Sequence, residues 1–380
     1  MTEKLYYQDA YMAEFSANVL SVNPLDRGYD VVLDKTAFFP EEGGQSSDTG
    51  RIGNAVVSHV FEEEGIVHHI TDVAPSLGEN NCSLDFSLRF EKMQCHTAEH
   101  ILCGIIHRLF GLDNVGFHLG DEEVTFDVNG VLSREQLDRV EKIANEAVFS
   151  NIKIDTLFPS STELADIEYR AKLDITEGIR LVRIGNVDTC ACCAPHVSYS
   201  GEIGLIKILD FMKHRGGTRI WMVAGKRALT DYSARYDNIK KISALLSTPQ
   251  LETAKTLETY MAESESIKSG LKLARLRIAE LEAEKIAVTE GSVVHFLSDF
   301  TIPELIAFSN IASQKVGKIT VALSGTEGDY KYVISSQSVD LKSMAKEINS
   351  ALSGRGGGRP EMIQGSFATS LEKIEKYFKE

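Results

Sequence analysis

No run of 18 or more apolar residues occurs in the 380-residue chain, which excludes a membrane-spanning helix. The opening MTEKLYYQDA is acidic and lacks an apolar core, so it does not read as a secretory signal, and cytoplasmic residence is the expectation. Six cysteines are too few for a disulfide scaffold. Cys82, Cys95 and Cys103 stand alone and read as buried free thiols, while Cys190, Cys192 and Cys193 crowd together and read as metal or thiol chemistry. Positive charge is also short: 40 Lys and Arg against 55 Asp and Glu give a formal charge of −15. That balance argues against broad, non-specific nucleic-acid binding and confines any such contact to a local basic patch. What remains is ordinary for a globular protein of two or three domains, 43% apolar and 25% charged.

Four regions follow from patterning. Residues 1–90 hold short apolar or alternating segments at 17–22, 30–34 and 54–60, with a hairpin turn at 62–65 and a return strand at 66–70, the spacing of a small barrel or sandwich. Residues 91–225 mix types, with a helix over 92–110, a second over 133–149 opened by the capping-box pair Ser133 and Gln136, and strands at 181–184 and 204–209. Residues 226–290 are helical and broken at Pro249. Leu257, Tyr260, Ser264, Ile267, Leu271, Ala274, Ile278 and Leu281 step by threes and fours, a heptad seam served equally by a hairpin within one chain or by a homodimer. Residues 291–380 read as an α/β module with strands at 319–323 and 332–335, a helix at 341–352, and a glycine-arginine loop at 354–360.

Chemistry concentrates in four places. His96 and His100 are four apart in a helical stretch, which puts both imidazoles on one face. A zincin protease needs Glu directly after the first histidine, and Thr97 stands there instead. Cys192 and His196 supply a thiolate and an imidazole, completing an N/S set suited to Zn²⁺, with Cys190 and Cys193 as a competing C-x-x-C pair. Four protein ligands make a closed set, so a catalytic role requires an open position or a task in holding substrate. Gly43 and Gly44 free the backbone for close approach to a ligand, with Gln45 projecting an amide and Asp48 fixing the loop. Arg355, Gly356, Gly357, Gly358 and Arg359 pair flexible amides with guanidinium groups, a combination suited to phosphate.

Taken together, residues 39–50 (FPEEGGQSSDTG), 96–102 (HTAEHIL), 192–197, 354–360 and Gln364-Gly365 resemble the free-standing alanyl-tRNA editing proteins of the long AlaX type. These are related to the editing and C-terminal regions of alanyl-tRNA synthetase, and the resemblance runs over nearly the whole chain. It implies an α+β multidomain fold: a translation-factor-like β-barrel (1–90), a zinc-binding α/β editing domain (91–225), a helical hairpin (226–290) and a DHH-associated α/β domain (291–380). It also implies zinc on His96, His100, Cys192 and His196, although Cys193-Ala-Pro inside the cysteine–histidine motif departs from the synthetase pattern and adds a thiol. The implied activity is zinc-dependent, ATP-independent hydrolysis, in trans, of tRNA(Ala) charged with serine or glycine. Gln45 would orient a water or the terminal ribose. Glu99 is either an acid/base or a solvated helix residue. Lys213, Arg215 and Arg219 would join the 355–359 loop on tRNA phosphates. An RNA-binding module with a closed structural zinc, and a phosphoesterase, are the rival classes.

Overall fold

The computed structural model describes residues 1–120, 123–171 and 179–379. The chain divides into two compact units, Met1–Lys240 and Lys241–Glu380. Among the described residues no helix is long and apolar enough to cross a membrane.

The first unit begins with β1 (Glu3–Lys4), β2 (Glu14–Pro24), β3 (Tyr29–Leu33), β4 (Lys35–Thr36), β5 (Gly50–Ile52), β6 (Ala55–Glu63), β7 (Ile66–Thr71) and β8 (Gly78–Leu84). Six of these close a barrel in the order β2-β3-β7-β6-β5-β8, and β1 pairs in parallel with β4. Alternation explains the closure: Ala17, Val19, Val31, Leu33, Ile52, Val57, Val60, Val67 and Cys82 point inward and form one core. The β6–β7 hairpin turns on Glu64 and Gly65, both at positive φ (50° and 78°), the twist that a two-residue hairpin prefers.

Next come α1 (Phe86–Phe110), β9 (Asn114–Leu119), β10 (Val124–Val128), α2 (Arg134–Phe149), β11 (Ile154–Leu157), α3 (Ser161–Leu164), β12 (Leu181–Ile184), β13 (Asp188–Ala191), β14 (Ile206–His214), β15 (Gly217–Ala224) and α4 (Gly225–Leu246). Asp85 caps α1 by accepting from the Leu88 amide, and Gly111 ends it in the left-handed region. The helix starts six residues before the Lys92 expected from periodicity. Its first turns bury Arg89 and Lys92, charged side chains that hide the apolar stripe from a reading by pattern. From Lys92 to Ile106 every residue is buried, so α1 is a central helix, apolar or paired on all sides. α2 carries the capping box on Ser133 and Gln136. β14-β15-β10-β9 form an antiparallel sheet and β11-β12-β13 a smaller one, and both share a single core with α1 and α2.

The second unit holds α5 (Thr253–Glu284), β16 (Val293–Phe296), α6 (Ile302–Ala312), β17 (Thr320–Thr326), β18 (Asp329–Ser335), α7 (Leu341–Ala351), β19 (Gly354–Arg359), β20 (Met362–Phe367) and α8 (Leu371–Lys379). Its sheet runs β16-β17-β18-β20-β19. Along α5 the heptad residues Leu257, Tyr260, Ile267, Leu271, Ile278 and Leu281 are exposed. The loop expected at 354–360 is instead the edge strand β19. Glycine there serves strand contact: a Cβ on Gly356 would run into the Tyr332 hydroxyl and the backbone of Gln364 and Gly365.

Candidate metal centre

The glycine loop is fixed before it reaches the site. Arg89, wholly buried, grips Asp48 through Nε at 3.0 Å and through a terminal nitrogen, and donates to the Ala10 and Ala37 carbonyls. Asp48 also accepts from the Phe39 amide at 2.6 Å, and Lys92 Nζ donates to Ser47 O at 2.7 Å. Gly44 has φ 87°, and a Cβ there would collide with Phe117 O, while the Leu119 amide donates to Gly44 O at 2.7 Å. The close approach expected toward a ligand is therefore an approach of the loop to β9, whereas Gly43 lines a cavity. Gln45, fully buried, then delivers Oε1 to His96 Nδ1 at 2.7 Å.

Four side chains converge here. Ligand atoms of His96, His100, Cys192 and His196 all lie within 4.8 Å of one another. α1 presents His96 and His100 one turn apart, and the segment after β13 folds back to supply Cys192 and His196. Arg180 secures that segment by donating to Cys192 O at 2.7 Å and Ala194 O at 2.9 Å. Cys192 Sγ lies 3.6 Å from His96 Nε2 and 3.3 Å from His196 Nε2. Of the competing thiols, Cys190 groups with His100 and Asp188, and Cys193 lines the cavity beside Tyr7 and Glu42.

Two of the three imidazoles have the outer nitrogen hydrogen-bonded, and the third faces a carboxylate. His96 Nδ1 meets Gln45. His196 Nδ1 meets Thr97 Oγ1 at 3.0 Å, and since that hydroxyl donates to Met93 O at 2.7 Å, the ring must donate to it. His100 Nδ1 faces Asp188 Oδ2 at 3.4 Å. These contacts turn Nε2 of each ring toward the cluster, the tautomer a metal ligand needs. The electrostatics agree. Burial opposes ionisation of Cys192, but the imidazoles of His96, His196 and His100 outweigh it and hold the thiol well below its ordinary range. Burial pushes His196 down to about 3, so it stays a neutral donor. Burial raises the Cys190 thiol despite His100 and Arg170 nearby. Against burial, Cys190, Asp188 and Cys192 raise His100 well above its ordinary range. Three imidazoles and one thiolate suit a tetrahedral divalent ion.

Beside the cluster lies a cavity of about 380 Å³, lined by Tyr7, Glu42, Glu99, Asn114, Ile179 and Cys193 among others. Glu99 is not solvated: it is 2% exposed, its Oε1 accepts from the Asn114 amide and the Cys103 thiol, and its Oε2 lies 4.0 Å from His100 Nε2. Cys82, Cys95 and Cys103 are buried and form no disulfide, as read from the sequence. Arg219 is paired with Asp127 through two 2.8 Å contacts and stays part-exposed, while Lys213 and Arg215 are exposed on the β14–β15 hairpin. Arg355 and Arg359 are exposed on the edge strand. Pattern reading missed Thr97, Asn114, Arg170 and Asp188. For Asp188 a signal existed, because Asp188 and Cys190 are two apart on one strand and so share a face.

Comparison with known proteins supplies the context. Residues 179–223 match the threonyl and alanyl tRNA synthetase second additional domain, and residues 292–380 match the DHHA1 domain. The alanyl-tRNA editing protein AlaX-L of Pyrococcus horikoshii is 28% identical over 98% of this chain and 96% of its own length. The chain is thus similar over nearly its whole length to a free-standing alanyl-tRNA editing protein of the AlaX type. The alanine–tRNA ligase of Halorubrum lacusprofundi is 32% identical over 96% of the chain, but the match spans only 42% of the ligase. The C-Ala domain of Aquifex aeolicus alanyl-tRNA synthetase overlays 23% of the chain at 21% identity with a TM-score of 0.21, too low to bear on the fold. Residues 179–223 contain Cys192 and His196, two of the four clustered donors.

Proposed function

We propose that this chain is a cytoplasmic trans-editing hydrolase that deacylates tRNA(Ala) mischarged with serine, and with glycine as its second substrate, using zinc in the His96–His100–Cys192–His196 centre. The observation that carries the reading is the joining of that donor set to a cavity of about 380 Å³, in the range that admits a small ligand. Support for action in trans comes from the near full-length match to a protein named for editing. The need for such an enzyme is physical. An alanine pocket discriminates weakly against side chains differing by one small group, so a second, hydrolytic site must remove the errors.

When bound, zinc supplies positive charge that can hold the seryl amine or hydroxyl, or polarise the ester. The chain's own residues do the rest. Gln45 and Thr97 keep the imidazoles of His96 and His196 oriented. Glu99, with Oε1 fixed by Asn114 and Cys103, offers Oε2 as the proton acceptor for an attacking water. Gln45 holds His96 through its carbonyl oxygen, and its buried Nε2, without a partner among the described residues, is assigned to orienting a water or the terminal ribose. Arg355, Gly356, Gly357, Gly358 and Arg359, with Lys213 and Arg215, are the proposed phosphate contacts. The exposed apolar seam of α5 favours a second copy of the chain as its cover.

The test is deacylation of Ser-, Gly- and Ala-tRNA(Ala) by purified protein, with and without a chelator. Serine and glycine should be released and alanine spared, with activity lost on chelation and restored by zinc. Hydrolysis that ignores the chelator, or that does not distinguish alanine from serine, would overturn the proposal.

A further inference from the structure

Two of the three outer contacts on the imidazoles are neutral, and the third is not. We propose that Asp188, clamped by Arg170, is a charged positioning residue that fixes the ring of His100 in the metal centre. The inference rests on the proposed zinc reading and extends it to residues outside the ligand set.

Three independent features of the fold converge on this contact. Asp188 is buried, and its carboxylate is held on both oxygens by Arg170, Nε to Oδ1 at 2.8 Å and a terminal nitrogen to Oδ2 at 2.9 Å. Arg170 is itself registered on β13, with its amide donating to Thr189 O and its carbonyl accepting from the Ala191 amide, so the clamp cannot drift. The second feature is Gly104, one turn beyond His100 on the same face of α1. A Cβ there would come within 2.6 Å of Asp188 Cβ and 2.7 Å of Val187 O, so glycine at this position is what admits the carboxylate to the helix. The third is His100 Nδ1, a buried nitrogen with no hydrogen-bond partner among the described residues, 3.4 Å from Asp188 Oδ2. A carboxylate on the outer nitrogen of a ligating histidine sets its tautomer and raises its basicity toward the metal.

His100, Asp188 and Cys190 also form a triad that could hold a cation of their own. The clamp argues against that use. A guanidinium already sits on both carboxylate oxygens and neutralises the charge that a second dication would require.

The experiment measures zinc affinity by competition with a chromophoric chelator, zinc stoichiometry, and the visible absorption of the Co²⁺-substituted protein, for the full-length chain and for D188N and R170K. D188N should bind zinc about ten- to a hundredfold more weakly and shift the Co²⁺ spectrum. R170K, which keeps the charge but loses the two-point fork, should fall between D188N and the native protein and keeps the test open if D188N does not fold. Native-like affinity and an unshifted Co²⁺ spectrum in both variants would overturn the inference while leaving the zinc reading intact. Two zinc ions per native chain would overturn it by making Asp188 a ligand. No zinc binding by the native chain would instead remove the reading on which it rests.

Discussion

Replacing Asp48 by asparagine isolates the charge that anchors the glycine loop to α1. Asparagine keeps the shape and an oxygen able to accept from the Phe39 amide, so the backbone contact survives while the carboxylate charge goes. Arg89 is left with a wholly buried guanidinium facing two carbonyls, Ala10 O at 3.1 Å and Ala37 O. Removing one partner of a buried ion pair costs about 3–5 kcal/mol, and those carbonyls place this case near the lower end, about 3 kcal/mol. For a unit of this size each kcal/mol moves the melting temperature by about 2–4 °C, so a drop of about 6–12 °C is expected by calorimetry or circular dichroism. R89M should lose a similar amount by stranding Asp48. The double variant D48N/R89M should be more stable than the sum of the single losses implies, with a coupling of about 2 kcal/mol, because no uncompensated charge remains. A D48N protein melting within about 2 °C of the native one, or strictly additive losses, would refute the assignment of this pair as a buried anchor.

Three further perturbations probe other links. T97V removes the acceptor for His196 Nδ1 in a spot with no exposure to water, so zinc should bind about ten- to a hundredfold more weakly in a chelator competition, and an unchanged affinity would dismiss the contact. His69 is buried in the barrel between Thr36 Oγ1 and Val31 O, and burial lowers it from 6.5 to about 4. Because the folded state binds its proton less tightly, stability is complete above pH ~6.5 and is lost as pH falls toward ~4, by up to about 3 kcal/mol. Urea denaturation at several pH values should show this slope reduced in H69Q. R355A/R359A should weaken tRNA binding and lower the slope of log affinity against log salt by about 1.5, and an unaltered slope would take the edge strand out of the interface.

The parts of this molecule written locally were legible in the sequence. His96 and His100 are four apart on a helix, Cys192 and His196 sit in one short turn, and Ser133 with Gln136 declares a helix start. Those signals need only neighbouring residues. The outer contacts were not legible because they span long separations: Gln45 reaches His96 across 51 residues, and Thr97 reaches His196 across 99. Buried charge misled twice. Arg89 and Lys92 disguised the first turns of α1, and Glu99 has the composition of a surface residue but the burial of a core one. Glycine misled at β19, where a run that reads as a loop permits two strands and the Tyr332 ring to pack closely. The heptad seam of α5 was plain, but what covers it is not written in one chain.

Glu99 decides between an enzyme and a zinc-stabilised RNA-binding module. A structural zinc site has no use for a buried carboxylate facing a cavity, and burying one is costly unless it is paired. Here Oε1 is satisfied by Asn114 and Cys103, while Oε2 lies 4.0 Å from His100 Nε2, and both residues line the cavity. E99Q can keep the Oε1 contacts and replaces Oε2 by an amide that cannot accept a proton. Removing a general base of this kind costs about 10²–10⁴ in rate. The expected result is a loss of Ser-tRNA(Ala) deacylation of at least about a hundredfold, with zinc stoichiometry, melting temperature and tRNA affinity close to native. If E99Q hydrolyses at the native rate, Glu99 is not the base. If E99Q loses zinc along with activity, the carboxylate is holding the metal site together, and the structural class of explanation gains at the expense of the catalytic one.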